Sequence, residues 1–440
     1  MFWLILLYSY LSKILVFILK ALRLGNGTTI TGLLFEKYYP SIVTRLCRGV
    51  NKIILVTGTN GKTTTRSLLV KIFEDNGISV CTNLGGANIM RGIVSTMLAN
   101  WNWKGQPKVK TMILEVEEAT MPILTKYINP DQIIITNIFR DQLDAYSEID
   151  QTLSYFKSSI EQTTSDIIIN SDDQKLLQIL RDITRNVTGF GIEDKNIKML
   201  DFEKSSCQIK INFDQQIIAS HISNKNLTAH IETNWLEQKR LKNNFEIQTS
   251  LLGTYNIYNV LAALACTFPI FEHNAVDSII KAKPVFGRGE KISYRNKEIW
   301  LFLVKNPAGM NQVCELISTN FSREKVKVSF LINDKIADGK DVSWLWDCDT
   351  ETFIKANKDF EYLTSGVRGL DMLLRLEYAG AKVQLKNNFG TIESLLEKNI
   401  YNFNVDKEKH IILATYTAML KVRKLIGGRV KISNISDEGN

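Results

Sequence analysis

The stretch that decides the fold is VTGTNGKTTT (56–65), which follows the β-branched run KIILVT (52–57) and opens the amphipathic stretch TTTRSLLVKIFEDNG (63–77). A glycine turn between a strand and a helix directs backbone amides toward phosphate oxygens, and the helix N-terminus adds its dipole. Lys62 supplies a positive charge, and the Thr63 hydroxyl is a Mg²⁺ ligand of the type such loops use. The sequence therefore predicts an ATP-binding phosphate loop made of Gly58, Thr59, Asn60, Gly61, Lys62, Thr63 and Thr64.

Apolar runs on both sides of this loop predict parallel β-strands. Each run ends in polar residues, and helical stretches lie between the runs. Buried strands that alternate with helices are typical of an α/β fold. The runs are VKTMIL (109–114), QIIITN (132–137), DIIIN (166–170), IWLFLV (299–304), VKVSFLIN (326–333), FEYLTS (360–365) and HIILAT (410–415).

The chain divides into a lead segment and two domains. Residues 1–45 hold an apolar N-terminal helix, and 46–285 form the domain around the phosphate loop. A polar stretch rich in Lys and Asn, at about 192–250, predicts an antiparallel insertion of small strands. The glycine turn FGRGE (286–290) then opens a smaller C-terminal α/β domain, 286–440.

Composition excludes several classes of function. The net charge of +8 is spread over 440 residues, which gives no basis for nucleic-acid binding. Six cysteines are scattered without a metal-type pair, a pattern that fits a reducing, cytoplasmic compartment and argues against a cysteine nucleophile. The four histidines form no recognisable ligand pair either.

The N-terminal helix has two conflicting features. Residues 2–19 are nearly long enough and apolar enough to cross a bilayer. Ser9, Ser12, Lys13 and Lys20 nevertheless form a thin polar stripe on one helical face, which favours a position at the membrane surface. Packing on the chain's own domain, contact of residues 1–20 with the inner membrane face, and a membrane span all stay open.

Motifs beyond the phosphate loop resemble those of Mur ligases. The loop itself has the G-T-x-G-K-T-[ST] form of that family, and LEVEEATMP (114–122) follows a predicted strand. The resemblance implies that Glu115, with Glu118 as second choice, holds Mg²⁺. TNIFRDQLD (136–144) matches a segment in which Gln142 here replaces the usual His.

Two later motifs match the nucleotide site of the same family. LLGTYNIYNVLAA (251–263) resembles a helix whose first Asn approaches adenine, which implies Asn256 in this chain. GRGE (287–290) resembles the hinge turn, from which Arg288 would reach a phosphate.

Further motifs, most of them in the C-terminal half of the chain, narrow the resemblance to the MurT family. The matching stretches extend from about residue 20 to 425, and they include TNLGGANIMRG (82–92), VKNPAGMNQV (304–313), INDKIADGKDVSWLWD (332–347), TSGVRGLDMLLRLEYAG (364–380) and ATYTAML (414–420). This resemblance implies a Mur-ligase-type central domain with a parallel sheet and a Rossmann-like C-terminal domain. It also implies ATP-dependent amidation of the D-glutamate α-carboxylate of lipid II, through an acyl phosphate.

In that family the ammonia comes from a GatD-like glutamine amidotransferase partner. The partner supplies a Cys and a His, and an Asp of the MurT subunit orients the His. Asp341, in the D-V-S-W step, is the favoured residue here, and Asp347 is the alternative. Many MurT proteins also carry a four-cysteine zinc ribbon, but 192–250 holds only Cys207, so we expect no zinc.

Two other functions are compatible with the phosphate-loop motif. An amino-acid-adding Mur ligase or a folylpolyglutamate-type ligase would have the same ATP site, although VKNPAGMN (304–311) replaces the usual D-Y-A-H-x-P step. A nucleotide-binding scaffold without catalysis is the other alternative, and the complete phosphate loop argues against it.

Overall fold

The structure is a computed structural model. It describes residues 32, 41–83, 86–102, 104, 106–139, 146–181, 183–193, 211–225, 227–238, 240–284, 287–295, 297–322, 324–401 and 409–429. The N-terminal apolar helix, Gln142 and Cys207 lie outside these ranges, so the expectations about them stay predictions.

The first sheet has nine strands in the order β2-β3-β1-β4-β5-β6-β7-β8-β9. The seven strands from β2 to β7 in this order are parallel, and β8 and β9 add two antiparallel pairings. The strands are β1 Lys52–Thr57, β2 Val80–Thr82, β3 Thr111–Glu115, β4 Gln132–Ile135, β5 Asp166–Asn170, β6 Val187–Ile192, β7 Gln215–Lys225, β8 Thr228–Glu237 and β9 Arg240–Thr249. The polar insertion thus continues the sheet as three strands of ten or eleven residues.

Helices cover both faces of this sheet, and each face has its own apolar core. Because both faces are covered, the central strands are apolar throughout rather than alternating. The helices are α1 Ile42–Leu46, α2 Lys62–Asp75, α3 Met90–Asn100, α4 Met121–Thr125, α5 Tyr146–Glu161, α6 Gln174–Leu177, α7 Thr254–Phe271 and α8 His273–Ile280, with 3₁₀ turns at Glu118–Thr120 and Gln178–Leu180.

Helix α7 packs beside α2 on one face of the sheet. Leu69 and Phe73 of α2 are almost fully buried there, and burial of each such side chain contributes about 1.5–3 kcal/mol. Helix α7 is long and apolar enough to cross a membrane, but 78% of it is buried inside the protein. Its apolar character is therefore explained by its position in the core.

The second sheet has six strands in the order β10-β11-β15-β12-β13-β14, all parallel except for the β10–β11 pair. The strands are β10 Arg288–Tyr294, β11 Lys297–Leu303, β12 Val326–Leu331, β13 Glu361–Ser365, β14 Asn388–Phe389 and β15 Lys409–Ala414. The helices are α9 Pro307–Phe321, α10 Thr350–Ala356, α11 Gly369–Tyr378, α12 Ile392–Leu396 and α13 Tyr416–Gly427, with 3₁₀ turns at Ser343–Asp347 and Leu385–Asn387 and a π-helical turn at Glu397–Tyr401.

The predicted α/β class, with two parallel sheets, is confirmed by this arrangement. In parallel sheets the loops that follow the strands meet at one edge, where ligands bind. The phosphate loop follows β1, and Glu115 ends the neighbouring strand β3. The fold therefore brings together residues that lie more than fifty positions apart in the chain.

Candidate nucleotide site

The phosphate loop adopts a backbone that requires glycine at two positions. Gly58 and Gly61 have φ angles of 123° and 91°, which L side chains rarely adopt. A Cβ atom on Gly58 would lie 2.2 Å from Oγ1 of Thr136, and one on Gly61 would lie 2.1 Å from Oδ1 of Asn259. The loop is also fastened to the end of β4, because Asn60 N donates to Asn137 Oδ1 at 2.9 Å.

Lys62 begins α2, and its ammonium group lies over the loop. Its Nζ donates to the Gly58 carbonyl at 2.5 Å and to Glu118 Oε1 at 2.8 Å. Glu118 reaches it from the 3₁₀ turn that follows β3. An incoming phosphate would compete with this carboxylate for the lysine.

Glu115, the residue that the resemblance implies as a Mg²⁺ ligand, ends β3 next to the strand that carries the phosphate loop. Its side chain is almost fully buried, and Asn88 Nδ2 lies 3.4 Å from its Oε1. It lines a cavity of about 270 Å³ whose other walls include Thr63, Glu117 and Glu118. Hydroxyl and carboxylate oxygens are the donors that Mg²⁺ prefers, so Thr63 and Glu115 fit that ion.

These side chains would need help from a nucleotide to complete a metal site. Within the described part of the chain, no three His, Cys, Asp or Glu side chains converge closely enough to hold a metal by themselves. Mg²⁺ is commonly held by one or two carboxylates together with phosphate oxygens and water. The donor set here is of that kind.

A second, smaller cavity of about 30 Å³ lies between the two sheets. Arg288 lines both cavities, and its contact with a phosphate stays a prediction. Tyr255 and Asn259 of α7 line the small cavity as well. Asn256 instead points into the helix packing, where Nδ2 donates to the Leu252 carbonyl at 2.8 Å and Oδ1 accepts from Asn259. Its contact with adenine stays a prediction.

The C-terminal domain contributes residues that the motifs did not single out. Lys305 and Tyr416 line the large cavity, from the ends of the neighbouring strands β11 and β15. Asn306 caps α9 by accepting from Gly309 N at 2.8 Å, and its Nδ2 lies 3.3 Å from Oδ1 of Asn60. Asn followed by Pro is a known helix-start signal. It would have placed Asn306 at the start of α9, directly after the predicted strand IWLFLV (299–304).

Asp341 and Asp347, the two candidates for the acid that orients the partner's histidine, differ in their hydrogen bonds and exposure. Asp341 lies in the loop after β12, and its Oδ1 accepts from the Ser343 amide at 2.8 Å and from the Ser343 hydroxyl at 2.5 Å. These hydrogen bonds hold the pKa of Asp341 below its usual value. Asp347 is exposed at the end of the following 3₁₀ turn. Asp341 is thus ionised and fixed through one carboxylate oxygen.

Beside this loop lies a surface that we call the α11 face. It consists of Leu370, Leu374 and Tyr378, one helical turn apart, together with Trp346. These four side chains are 46–72% exposed. Trp346 meets Tyr378 edge to face at 5.5 Å, and the Arg375 guanidinium lies 5.5 Å from the Trp346 ring. Contiguous exposed apolar surface of this kind marks interaction sites.

Comparison with known proteins agrees with this geometry. Residues 56–267 match the Mur ligase middle domain, and residues 303–419 match the MurT ligase C-terminal domain. The lipid II isoglutaminyl synthase (glutamine-hydrolyzing) subunit MurT of Streptococcus pneumoniae is 31% identical over 92% of this chain and 94% of its own length.

Solved structures show the same fold at lower identity. MurF from Acinetobacter baumannii superposes with a TM-score of 0.68 and 15% identity, over 90% of this chain and 80% of that one. The Thermotoga maritima MurF ligase in complex with ADP gives 0.62 and 15%, over 88% and 82%.

The fold and the phosphate loop define a protein of the Mur ligase class. Within that class, the chain belongs to the MurT family. The family expected from the sequence motifs is therefore confirmed.

Proposed function

We propose that this chain is the ATP-using subunit of a glutamine-hydrolysing lipid II isoglutaminyl synthase. It would convert the α-carboxylate of D-glutamate in the lipid II stem peptide to an amide, and so act in peptidoglycan synthesis. The observation that carries the proposal is the 31% identity to a relative of that name, over nearly the whole of both chains. The site described above has the groups that the first step needs.

That first step is phosphorylation of the carboxylate by ATP. A carboxylate is a poor acyl donor until it becomes an acyl phosphate, and transfer of the phosphoryl group depends on positioning and charge stabilisation. Lys62 and Arg288 would bind the phosphates, and Thr63 and Glu115 would hold Mg²⁺, which neutralises charge on the transferred group. Ammonia would then attack the acyl carbon and expel phosphate.

We infer that the ammonia comes from a second subunit. Glutamine hydrolysis needs a thiolate, and burial raises the pKa of Cys47, Cys81, Cys266 and Cys348 to about 12. The pKa of Cys314 is raised well above its usual value for the same reason. The five cysteines that the structure describes are therefore unsuited to be the nucleophile.

We assign Asp341 as the acid that orients the catalytic histidine of a GatD-like partner. A triad acid must be ionised and must hold the imidazole in one tautomer and orientation. Asp341 is suited to this role, because hydrogen bonds from Ser343 lower its pKa and fix one of its oxygens. The α11 face, next to this loop, exposes Trp346 and Tyr378, and these residue types carry much of the binding energy of protein interfaces.

Contact with the inner face of the membrane belongs to the same proposal. The substrate carries a lipid tail, and residues 1–20 have an apolar face with a thin polar stripe. We place the protein in the cytoplasm, where ATP is available. Removal of residues 1–20 should then reduce its recovery with membranes, whereas unchanged fractionation would disprove the contact.

The decisive experiment is co-expression with a candidate glutaminase, followed by mass analysis of lipid II. Conversion of one carboxyl to an amide is expected with glutamine and ATP, and Lys62→Ala should abolish it with either nitrogen source. Asp341→Asn should lower glutamine-dependent amidation by up to about 10⁴-fold, as replacement of a triad acid by Asn does. It should leave amidation from added ammonium salt unchanged, and Asp347→Asn is the matched control.

Other outcomes would refute the proposal. Ligation of a free amino acid in place of ammonia would identify an amino-acid-adding ligase. Equal loss of the glutamine-dependent and ammonia-dependent reactions in Asp341→Asn would show that Asp341 does not serve the glutaminase.

A further inference from the structure

Arg66 lies in α2, three residues after Thr63, and its side chain has no exposed surface. Arginine is almost never fully buried unless it is paired. Its Nη1 donates to the Asn83 carbonyl at 2.6 Å and to Thr82 Oγ1 at 3.1 Å, so the loop after β2 holds the guanidinium in place. The guanidinium is thus fixed behind the phosphate loop.

The anion that this guanidinium faces is Glu115. Arg66 Nε lies 3.7 Å from Glu115 Oε2, and both side chains are almost fully buried. Asn83 holds the backbone of Glu115 on both sides, because its Oδ1 accepts from Glu115 N at 2.9 Å and its Nδ2 donates to Glu115 O at 2.8 Å. The two oxygens of the carboxylate consequently have different surroundings, with Oε2 toward Arg66 and Oε1 toward Asn88.

We propose that Arg66 is a positioning residue for the metal-binding carboxylate of Glu115. This inference rests on the proposed function, in which Glu115 holds Mg²⁺. The buried guanidinium lies on the Oε2 side of the carboxylate, and Asn88 lies on the Oε1 side, so the carboxylate would meet the metal in one orientation. Groups that orient a ligating carboxylate in this way often matter nearly as much as the ligand itself.

The Arg66–Glu115 pair differs from an ordinary structural ion pair because one of its members lines the cavity of the nucleotide site. The cavity that Glu115 lines also contains Thr63 and Lys62, whereas Arg66 is not among the residues that line it. Arg66 therefore does not reach the cavity itself, and its ion pair with Glu115 connects it to the site. A purely structural pair would change the stability of the protein but leave the metal affinity of the folded protein unchanged.

The test measures Mn²⁺ binding to the full-length chain with ADP, by electron paramagnetic resonance. Arg66→Met keeps most of the volume and removes the charge, and it should raise the Kd for Mn²⁺ by about 10–100-fold. Arg66→Lys should restore part of the affinity. Lys71→Met is the matched control, since it also removes a positive charge from α2 but breaks only the surface ion pair with Asp75, and it should leave the Kd unchanged.

Thr82→Val offers a milder change if Arg66→Met does not fold. It removes one hydrogen bond to the guanidinium and should raise the Kd by roughly two- to fivefold, a fraction of the full effect. An unchanged or lower Kd in folded Arg66→Met, or in Thr82→Val where it replaces that variant, would overturn the inference. Glu115→Gln separates the two claims, because unchanged Mn²⁺ binding in that variant would refute the metal site itself.

Discussion

Replacement of Gly61 by alanine tests the geometry of the phosphate loop, with Gly77→Ala as a matched control. Both glycines have positive φ angles, 91° and 78°. A residue with a Cβ atom in this region costs roughly 1–2 kcal/mol. This cost is common to both variants, because it depends on the backbone alone.

The two positions differ in the space around them. No atom lies within 4 Å of a Cβ placed on Gly77, but Asn259 Oδ1 lies 2.1 Å from a Cβ placed on Gly61. Asn259 is 3% exposed and contacts Thr65 and Asn256, so it cannot move without loss of hydrogen bonds. Overpacking of this kind costs about 1–3 kcal/mol. We therefore expect about 2–5 kcal/mol for Gly61→Ala and about 1–2 kcal/mol for Gly77→Ala.

Urea unfolding, followed by tryptophan fluorescence, measures the loss of stability in both variants. Calorimetric titration with ATP measures the affinity of the nucleotide site. Gly61→Ala should weaken ATP binding at least tenfold, because the loop amides are displaced from the phosphates. Gly77→Ala should bind ATP like the unmodified protein. In the double variant Gly61→Ala/Asn259→Ala the overlap is gone, so its stability loss should be smaller than the sum of the single losses. Equal stability and equal ATP affinity in the two single glycine variants would refute this reasoning.

Three further changes test other parts of the molecule. Tyr378→Ala should weaken binding of the glutaminase subunit about 30-fold in surface plasmon resonance, which corresponds to an interface contact of about 2 kcal/mol. Ile270→Ala is the control, because Ile270 is exposed and apolar but lies outside the α11 face, and it should leave binding unchanged. Burial raises the pKa of Asp172 to about 6, so its contribution to stability is present at low pH and is lost as the pH rises from about 4 toward 6. Asp172→Asn keeps the acceptor for Tyr258 and should reduce the slope of stability against pH in that range, where Asp173, whose pKa burial raises to about 7, accounts for part of the rest; an unchanged profile would contradict the assignment. Glu118→Gln should lower the Kd for ATP severalfold in calorimetry, because it replaces the carboxylate that binds Lys62 with a neutral amide. A higher Kd would show instead that Glu118 assists ATP binding.

Much of the central sheet was predictable from the sequence, because each strand is a short apolar run that ends at polar residues. KIILVT (52–57) and DIIIN (166–170) coincide with β1 and β5. Lys62 is assigned from the phosphate-loop pattern, whereas Glu115 is assigned from the resemblance to Mur ligases. Their proximity has a simple cause, since the loops after parallel strands share an edge.

Arg66 shows why the rest could not be predicted. In the sequence it stands between Thr65 and Ser67, where a charged side chain on an amphipathic helix is normally exposed to solvent. It is buried because Glu115, on a strand far along the chain, compensates its charge. Lys305 and Tyr416 pose a similar problem, since their presence in the cavity depends on how the second sheet sits against the first.

Asn333 connects the parts of the C-terminal domain that the proposed reaction needs. It follows β12, at the start of the loop that carries Asp341, and it is 6% exposed. Its Nδ2 donates to Thr417 Oγ1 at 2.9 Å, next to Tyr416 in the large cavity, and its Oδ1 accepts from Val367 N at 3.1 Å, just before α11. Asp338 in the same loop accepts from Thr417 N at 2.7 Å. Because hydrogen bonds hold the loop on both sides, a partner bound to the α11 face would meet Asp341 in a fixed position relative to the large cavity.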